Sequence, residues 1–172
     1  ISIFLWADLS NKFIWICLLS SFFFGLIGFI DDYQKIKHLN HKGIKGSTRL
    51  FLQILFSFLI IYLIQNNLSD DIKNTLTFPL FKNLIIDLGI LYFFLGIFII
   101  VGSANAVNLT DGLDGLAIVP VMIVAMSFAF ISYLSGNIIF SNYLQIPYIE
   151  NTGELSVFCG AMIGSSLGFL WF

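Results

Sequence analysis

Charged residues are scarce in this sequence, and their scarcity excludes most classes of soluble protein. Only 10% of the 172 residues are Asp, Glu, Lys or Arg, whereas a soluble domain carries about 25%. Hydrophobic residues make up 58% of the chain, which contains 20 phenylalanines, and the mean hydropathy is +0.95. A chain of this composition is expected to fold in lipid.

Basic tracts and cysteine clusters are missing as well. No run of Lys and Arg is long enough to follow a nucleic-acid backbone, so nucleic acid is not an expected partner. The two cysteines, Cys17 and Cys159, each lie within an apolar run and are expected to be buried free thiols. The sequence therefore predicts neither a disulfide framework nor a cysteine-based metal site.

Long apolar segments make up most of the sequence. A membrane-spanning helix needs about 20 apolar residues, and five segments approach or reach that length. They predict helices over 13–30, 50–64, 84–101, 116–134 and from 155 onwards. The fold class expected is an all-α polytopic membrane protein. The chain is expected to form a single membrane domain over 1–172, and to be a fragment of a longer protein.

The distribution of basic residues predicts the orientation in the membrane. Cytoplasmic loops are enriched in Lys and Arg, and five of the eight basic residues lie between the first two apolar segments. These are Lys35, Lys37, Lys42, Lys45 and Arg49. The segments 31–49 and 102–115 are therefore expected on the cytoplasmic side, and 65–83 and 135–154 on the opposite side.

The first polar cluster, "GFIDDYQK", begins where an apolar segment ends. Asp31 and Asp32 follow Ile30 directly, and adjacent carboxylates at a membrane boundary repel each other unless a cation or a proton offsets the repulsion. Lys35 shares a face with one of them if the helix continues. The cluster predicts either a cation- and phosphate-binding site or a solvated helix end. Lys35 is equally well explained by cytoplasmic topology alone.

The second polar cluster, "NAVNLTDGLDGLA", follows the third apolar segment. Asp111 and Asp114 have the spacing D-x-x-D, and carboxylates so placed can hold Mg²⁺ together with substrate phosphates. Gly112 lets the backbone approach a ligand closely, and Asn108 adds an amide. The alternative is a polar turn capped by Asn and Asp, which needs only one or two such residues. The residues alone thus predict an acidic, magnesium-dependent, phosphate-handling site at the cytoplasmic face.

The two motifs together resemble those of the phospho-N-acetylmuramoyl-pentapeptide transferases, in the polyprenyl-phosphate sugar-phosphate transferase superfamily. The resemblance extends to "LWADLSN", "YLQIPYIENTGEL" and "GSSLGFLWF" and so covers essentially the whole chain. It implies a ten-helix enzyme of the bacterial inner membrane with its active site on the cytoplasmic face. This chain would supply about five of those helices and lack the first helices and the C-terminal half, and it is expected to be inactive alone.

The activity that the resemblance implies is the first membrane step of peptidoglycan synthesis. Phospho-N-acetylmuramoyl-pentapeptide would pass from its UDP carrier to undecaprenyl phosphate, giving lipid I and UMP, with Mg²⁺ as cofactor. The implied partners are these two substrates and the lipid bilayer, and a homodimer is compatible with the resemblance. Direct attack by undecaprenyl phosphate, with Asp31 as base, and a covalent phospho-aspartyl intermediate are both open mechanisms.

The resemblance also assigns roles to individual residues. The catalytic residues it implies are Asp31, Asp32, Lys35 and Asp111. The substrate-binding residues it implies are Asn108, Gly112, Leu113 and Asp114. Asp31 and Asp32 are further expected to contribute to the magnesium site, while the main magnesium ligand of the family is implied to lie beyond Phe172.

Three alternatives remain open from the sequence. A sibling transferase of N-acetylglucosamine phosphate shares the paired aspartates and the D-G-x-D-G pattern, although "YLQIPYIENTGEL" is not expected in it. An intramembrane prenyltransferase also uses two aspartate-rich motifs, usually in an N-D-x-x-D form that is absent here. A cation channel or transporter would place its acids near the middle of the membrane, whereas these acids lie at the ends of apolar segments.

Overall fold

The computed structural model describes residues 1–38, 43–78, 81–110 and 116–171, and it is mostly helical. The helices are α1 (Ser2–Trp6), α2 (Lys12–His38), α3 (Gly46–Asn67), α4 (Leu91–Thr110), α5 (Ile118–Ser135), α6 (Ile138–Leu144) and α7 (Leu155–Trp171). A hairpin of β1 (Thr75–Phe78) and β2 (Phe81–Asp87) separates α3 from α4, and a 3₁₀ turn at Thr152–Glu154 precedes α7. Within the described ranges, α2, α3, α4, α5 and α7 are long and apolar enough to cross a membrane, which confirms a polytopic membrane protein.

Successive long helices run in opposite directions, so their ends fall into two groups. The C-terminal ends of α2 and α4 lie with the N-terminal ends of α3 and α5, and we call this group the motif end. The hairpin, α1 and α6 lie at the other end. The segments 43–49 and 102–110 therefore share one end of the bundle, as the sequence predicts. The side of the membrane that this end faces stays a prediction.

The helices pack through small and aromatic residues, and much of their remaining apolar surface is exposed. A Cβ at Gly96 of α4 would lie 2.7 Å from Cδ1 of Ile61 in α3, so the glycine lets these two helices approach closely. Phe23 of α2 stacks on Phe56 of α3 with ring centroids 4.2 Å apart. Phe98 is among many large apolar side chains that remain exposed. Such extensive apolar surface suits contact with hydrocarbon.

The predicted third helix, over 84–101, is wrong at both ends. Its first residues belong to β2, where Ile86 pairs with Leu76 of β1, and α4 begins only at Leu91 after a turn in which Gly89 has φ +48°. A short apolar run is compatible with either a strand or a helix, and the partner strand decides between them. At the other end, 102–110 form the last turns of α4 and are not a connecting segment.

The cysteines are free thiols, as expected, but they are less buried than the sequence predicts. Cys17 and Cys159 are both partly exposed, and both line an apolar cavity of about 700 Å³ bounded mainly by α4, α5 and α7. The apolar runs around them indicate lipid-facing helices as much as a core, so an apolar neighbourhood in the sequence does not ensure full burial.

At the end of the bundle opposite the motif end, Asn11 links the start of α2 to the segment between α6 and α7. Its Oδ1 accepts a hydrogen bond of 2.9 Å from the backbone N–H of Phe13 and so caps α2. Its Nδ2 donates a hydrogen bond of 2.7 Å to the carbonyl oxygen of Asn151, in the connection between α6 and α7. Because Asn11 is only 6% exposed, loss of its side chain would leave buried polar groups without a partner.

Replacement of Asn11 by Ala in the full-length protein is expected to lower the free energy of unfolding by about 2 kcal/mol, since it removes both a cap and a buried hydrogen bond. Asn137→Ala is the matched control, because Asn137 caps α6 through Ile139. It is expected to cost only about 1 kcal/mol. Thermal unfolding in detergent measures both variants, and equal losses would argue against the link to Asn151.

Candidate functional site

The acid pair and its lysine lie on the last turns of α2, which continues past Ile30 to His38. The sequence expectation that Lys35 shares a face with the acids is confirmed. Nζ of Lys35 lies 2.6 Å from Oδ2 of Asp31 and 3.0 Å from Oδ1 of Asp32. One ammonium therefore bridges both carboxylates and offsets their mutual repulsion.

The two carboxylates have different surroundings. Asp31 is 6% exposed, and its Oδ1 accepts a hydrogen bond of 2.8 Å from the backbone N–H of Ile44. The side chain of Asp32 is 73% exposed. Asp31 is thus fixed in orientation by groups on both of its oxygens, whereas Asp32 is open to a ligand.

Gly43 allows the chain to close over Asp31. A Cβ at position 43 would overlap Oδ1 of Asp31, and it would lie 2.8 Å from Cγ of Asp31 and 3.0 Å from Cε of Lys35. Real Cβ atoms are essentially never found this close to another heavy atom. The absence of a side chain at Gly43 is therefore what lets the N–H of Ile44 reach the buried carboxylate.

A hydrogen-bonded row connects α3 to α4 beside the acid pair. Nη2 of Arg49 donates a hydrogen bond of 3.1 Å to Oδ1 of Asn105. Nδ2 of Asn105 donates to Oε1 of Gln53 at 2.8 Å and to the carbonyl oxygen of Val101 at 2.8 Å. Gln53 is itself buried. The row therefore holds the Arg49 guanidinium in a defined place at the motif end.

A cleft of about 440 Å³ brings the two sequence motifs together. Its polar lining comprises Asp31 and Asp32 from α2, Arg49 and Gln53 from α3, and Ser103 and Asn108 from α4. Asn108 is thus placed in one cleft with the acid pair, and Lys35 contacts that pair. Both motifs contribute to a single candidate site at the motif end.

Four of the candidate residues from the sequence lie outside the described residues. These are Asp111, Gly112, Leu113 and Asp114. Their roles rest on the sequence alone and stay predictions.

The sequence motifs do not identify Arg49 and Gln53 as members of the site, whereas Asn105 belongs to the second polar cluster as one of its two amides. In the sequence, Arg49 is one of the basic residues that predict orientation, and Gln53 lies within an apolar segment outside both motifs. A signal was available, because Arg49, Gln53 and Ser57 recur at intervals of four in an otherwise apolar segment. That spacing places three polar side chains on one face of a helix, which indicates a polar partner in the bundle.

The described part of the cleft suits a hard cation only in company with phosphate. No group of three or more His, Cys, Asp and Glu that could hold a metal occurs among the described residues. The oxygen donors of the described lining include the exposed carboxylate of Asp32, the amide of Asn108, the hydroxyl of Ser103 and the carboxylate of Asp31, whose two oxygens already contact Lys35 and Ile44. Mg²⁺ is commonly bound by one or two carboxylates together with water and substrate phosphates, so this donor set fits such an ion.

The larger apolar cavity adjoins the polar cleft across α4. Ser103 and Val107 line both of them, while the acids and Arg49 line the cleft alone. Among the described residues that line the larger cavity, none is charged, and the cavity offers an apolar surface directly beside the charged cleft.

Comparison with known proteins shows what this chain is similar to. The family model described as Glycosyl transferase family 4 matches residues 14–172. A phospho-N-acetylmuramoyl-pentapeptide-transferase of Rickettsia prowazekii (strain Madrid E) is 55% identical over 172 residues, which is 100% of this chain and 47% of that protein. The protein of the same name from Rickettsia africae (strain ESF-5) is 56% identical over 100% of this chain and 47% of its own length. That from Rickettsia bellii (strain RML369-C) is 55% identical over 96% of this chain and 46% of its own length. The chain thus spans about half the length of these relatives.

Proposed function

Because the chain belongs to glycosyl transferase family 4, we propose that the protein it forms part of is a phospho-sugar transferase of bacterial cell-wall synthesis. It transfers phospho-N-acetylmuramoyl-pentapeptide from UDP-N-acetylmuramoyl-pentapeptide to undecaprenyl phosphate, and the products are lipid I and UMP. The observation that carries this proposal is the cleft in which Asp31, Asp32 and Asn108 meet. Identity of 55–56% to relatives named for this transfer supports it.

The proposed reaction is a direct displacement at phosphorus. A phosphate oxygen of undecaprenyl phosphate attacks the phosphorus that carries the sugar, and the bond from that phosphorus to the UMP oxygen breaks. Asp31, held in orientation by Lys35 and Ile44, accepts any proton that the attacking phosphate carries. Phosphoryl transfer depends mainly on such positioning and on charge stabilisation.

The remaining roles concern the nucleotide and the cation. Asp31 and Asp32 both line the cleft and would contribute to holding Mg²⁺, with Asp32 the more exposed of the two. A bound Mg²⁺ would offset charge on the departing UMP. Asn108 contacts the nucleotide, as do Gly112, Leu113 and Asp114. Asp111 is a further catalytic residue. A homodimer stays a prediction.

The surroundings of the cleft suit two substrates of different solubility. The apolar cavity beside it, about 700 Å³ in volume, can accommodate part of a hydrocarbon chain, while the charged cleft accommodates the phosphate. The basic residues of 31–49 favour the cytoplasmic side for this end, so the soluble nucleotide reaches the cleft from the cytoplasm. The protein is accordingly proposed to lie in the bacterial inner membrane.

The function is tested with the full-length protein in detergent. UMP release is followed with undecaprenyl phosphate and either UDP-N-acetylmuramoyl-pentapeptide or UDP-N-acetylglucosamine. We expect release from the muramoyl substrate alone, loss of release in Asp32→Asn and in Asp111→Asn, and loss in EDTA that Mg²⁺ restores. The two variants test whether both motifs serve one site.

The other outcomes separate the alternatives. Release from the glucosamine substrate alone would assign the protein to the sibling transferases. No release from either substrate, with folded protein and Mg²⁺ present, would refute the transferase proposal and favour a transporter or channel.

A further inference from the structure

Lys35, the basic residue of the first motif, forms salt bridges with both aspartates of that motif. The ammonium of Lys35 lies within 3.0 Å of carboxylate oxygens of both Asp31 and Asp32, so this triad carries a net charge of −1. A negatively charged triad repels a diphosphate unless another cation is present. Lys35 therefore cannot by itself supply the attraction for an anionic substrate.

Among the described residues that line the cleft, the cation is Arg49. It lies on the first turn of α3 and lines the cleft together with Asp31 and Asp32. Among the salt bridges of the described residues, none involves Arg49. A guanidinium has five N–H donors in a planar fork that matches two phosphate oxygens at once, and here one nitrogen is engaged by Asn105.

The orientation of Asn105 is set by its neighbours. The carbonyl oxygen of Val101 can only accept a hydrogen bond, so the amide nitrogen of Asn105 must face it, at 2.8 Å. The same nitrogen donates its other hydrogen to Gln53. Oδ1 of Asn105 must then point towards Arg49, where it accepts from Nη2. The guanidinium is thus held by a side chain whose own conformation is fixed.

We propose that Arg49 binds the diphosphate of the nucleotide substrate, and that Asn105 is the positioning residue that holds it there. This inference rests on the proposed nucleotide-diphosphate substrate. Asn105 acts through Arg49 and does not itself touch the substrate. Arg49 supplies positive charge for the diphosphate, because the charge of Lys35 is already offset by Asp31 and Asp32.

The test measures equilibrium binding of UDP and of uridine to the full-length protein by titration calorimetry with Mg²⁺ present. Arg49→Gln is expected to weaken UDP binding by about ten- to hundredfold, the effect of losing hydrogen bonds to a charged group, and to leave uridine binding unchanged. Lys45→Gln is the matched control. It removes the same charge four residues earlier from an exposed side chain outside the cleft, and it should bind UDP as the wild type does.

The role of Asn105 is tested by a double-mutant cycle. Asn105→Ala should weaken UDP binding less than Arg49→Gln does, and it should add nothing in the Arg49→Gln background, because its effect passes through the guanidinium. Additive losses, or equal losses of UDP and uridine binding, would overturn the positioning role. Asn67→Ala, at the far end of α3, is the control and should bind both ligands normally.

Binding and turnover are measured separately, so failures of the two proposals can be distinguished. If the wild type releases UMP but Arg49→Gln binds UDP as the wild type does, the inference about Arg49 is wrong and the proposed function stands. If the wild type binds UDP without turnover, the proposed function is wrong while the Arg49 comparison still decides this inference. A wild type that does not bind UDP overturns the inference about Arg49, and UMP release by itself then decides the proposed function.

Discussion

Asp31→Asn in the full-length protein is expected to lower UMP release by about a hundred- to ten-thousandfold, the range produced by loss of a positioned general base. Asparagine keeps the size of the side chain but removes the charge that holds the Lys35 ammonium at 2.6 Å. It also removes the proposed acceptor for a proton of the attacking phosphate. The initial rate of UMP release, with thermal unfolding as a check on folding, measures the effect.

Asp70→Asn is the matched control for this substitution. Asp70 also pairs with a lysine, Lys73 at 2.7 Å, and this neighbour holds the pKa of the Asp70 carboxyl below its usual value. Asp70 is therefore ionised at neutral pH, but it lies at the end opposite the motif end. The control should retain wild-type rates. An Asp31→Asn rate within tenfold of the wild type would contradict the proposed role of this carboxylate.

Phosphate labelling of the full-length protein distinguishes direct attack by the lipid phosphate from a covalent phospho-aspartyl mechanism. Direct attack requires both substrates, so no labelled phosphate should remain on the protein when the lipid acceptor is absent. A trapped phospho-aspartyl group under those conditions would establish the covalent mechanism and contradict direct attack.

Gly43→Ala is expected to lower kcat by about a hundredfold, because a displacement of about 1 Å near reacting groups can cost this much. The new Cβ cannot coexist with the carboxylate of Asp31 in its present place. Either the backbone withdraws and Ile44 loses its hydrogen bond to Asp31, or the carboxylate and Lys35 move. Steady-state kinetics of UMP release measures the loss.

Gly46→Ala provides the matched control for Gly43→Ala. It is the same substitution three residues later, at the start of α3, and no heavy atom lies within 4 Å of a Cβ built there. Alanine also favours a helix over glycine by up to about 1 kcal/mol. Wild-type activity is expected for this control. Equal activity of the Gly43→Ala variant and the wild type would show that close packing of residue 43 against Asp31 is not needed for activity.

The arrangement of Asp31, Asp32 and Lys35 was predictable because it is local. Spacings of three and four residues on one helix bring side chains together wherever the helix lies, and both contacts of Lys35 follow that rule. The apolar segments were predictable for a similar reason, since their length and composition suit a bilayer without reference to neighbours. The hairpin was not predictable in this way, because β2 depends on pairing with β1.

Composition and short spacings are sufficient to predict a membrane protein, most of its long helices and the contacts of the acid pair with its lysine. The contact of Arg49 with Asn105, 56 residues away, depends on how the helices pack. The same packing places Asn108 in one cleft with Asp31 and Asp32. The close approach of Gly43 to Asp31 likewise depends on the fold. Such contacts depend on the packing of α2, α3 and α4 against one another, which no periodicity within a single segment specifies.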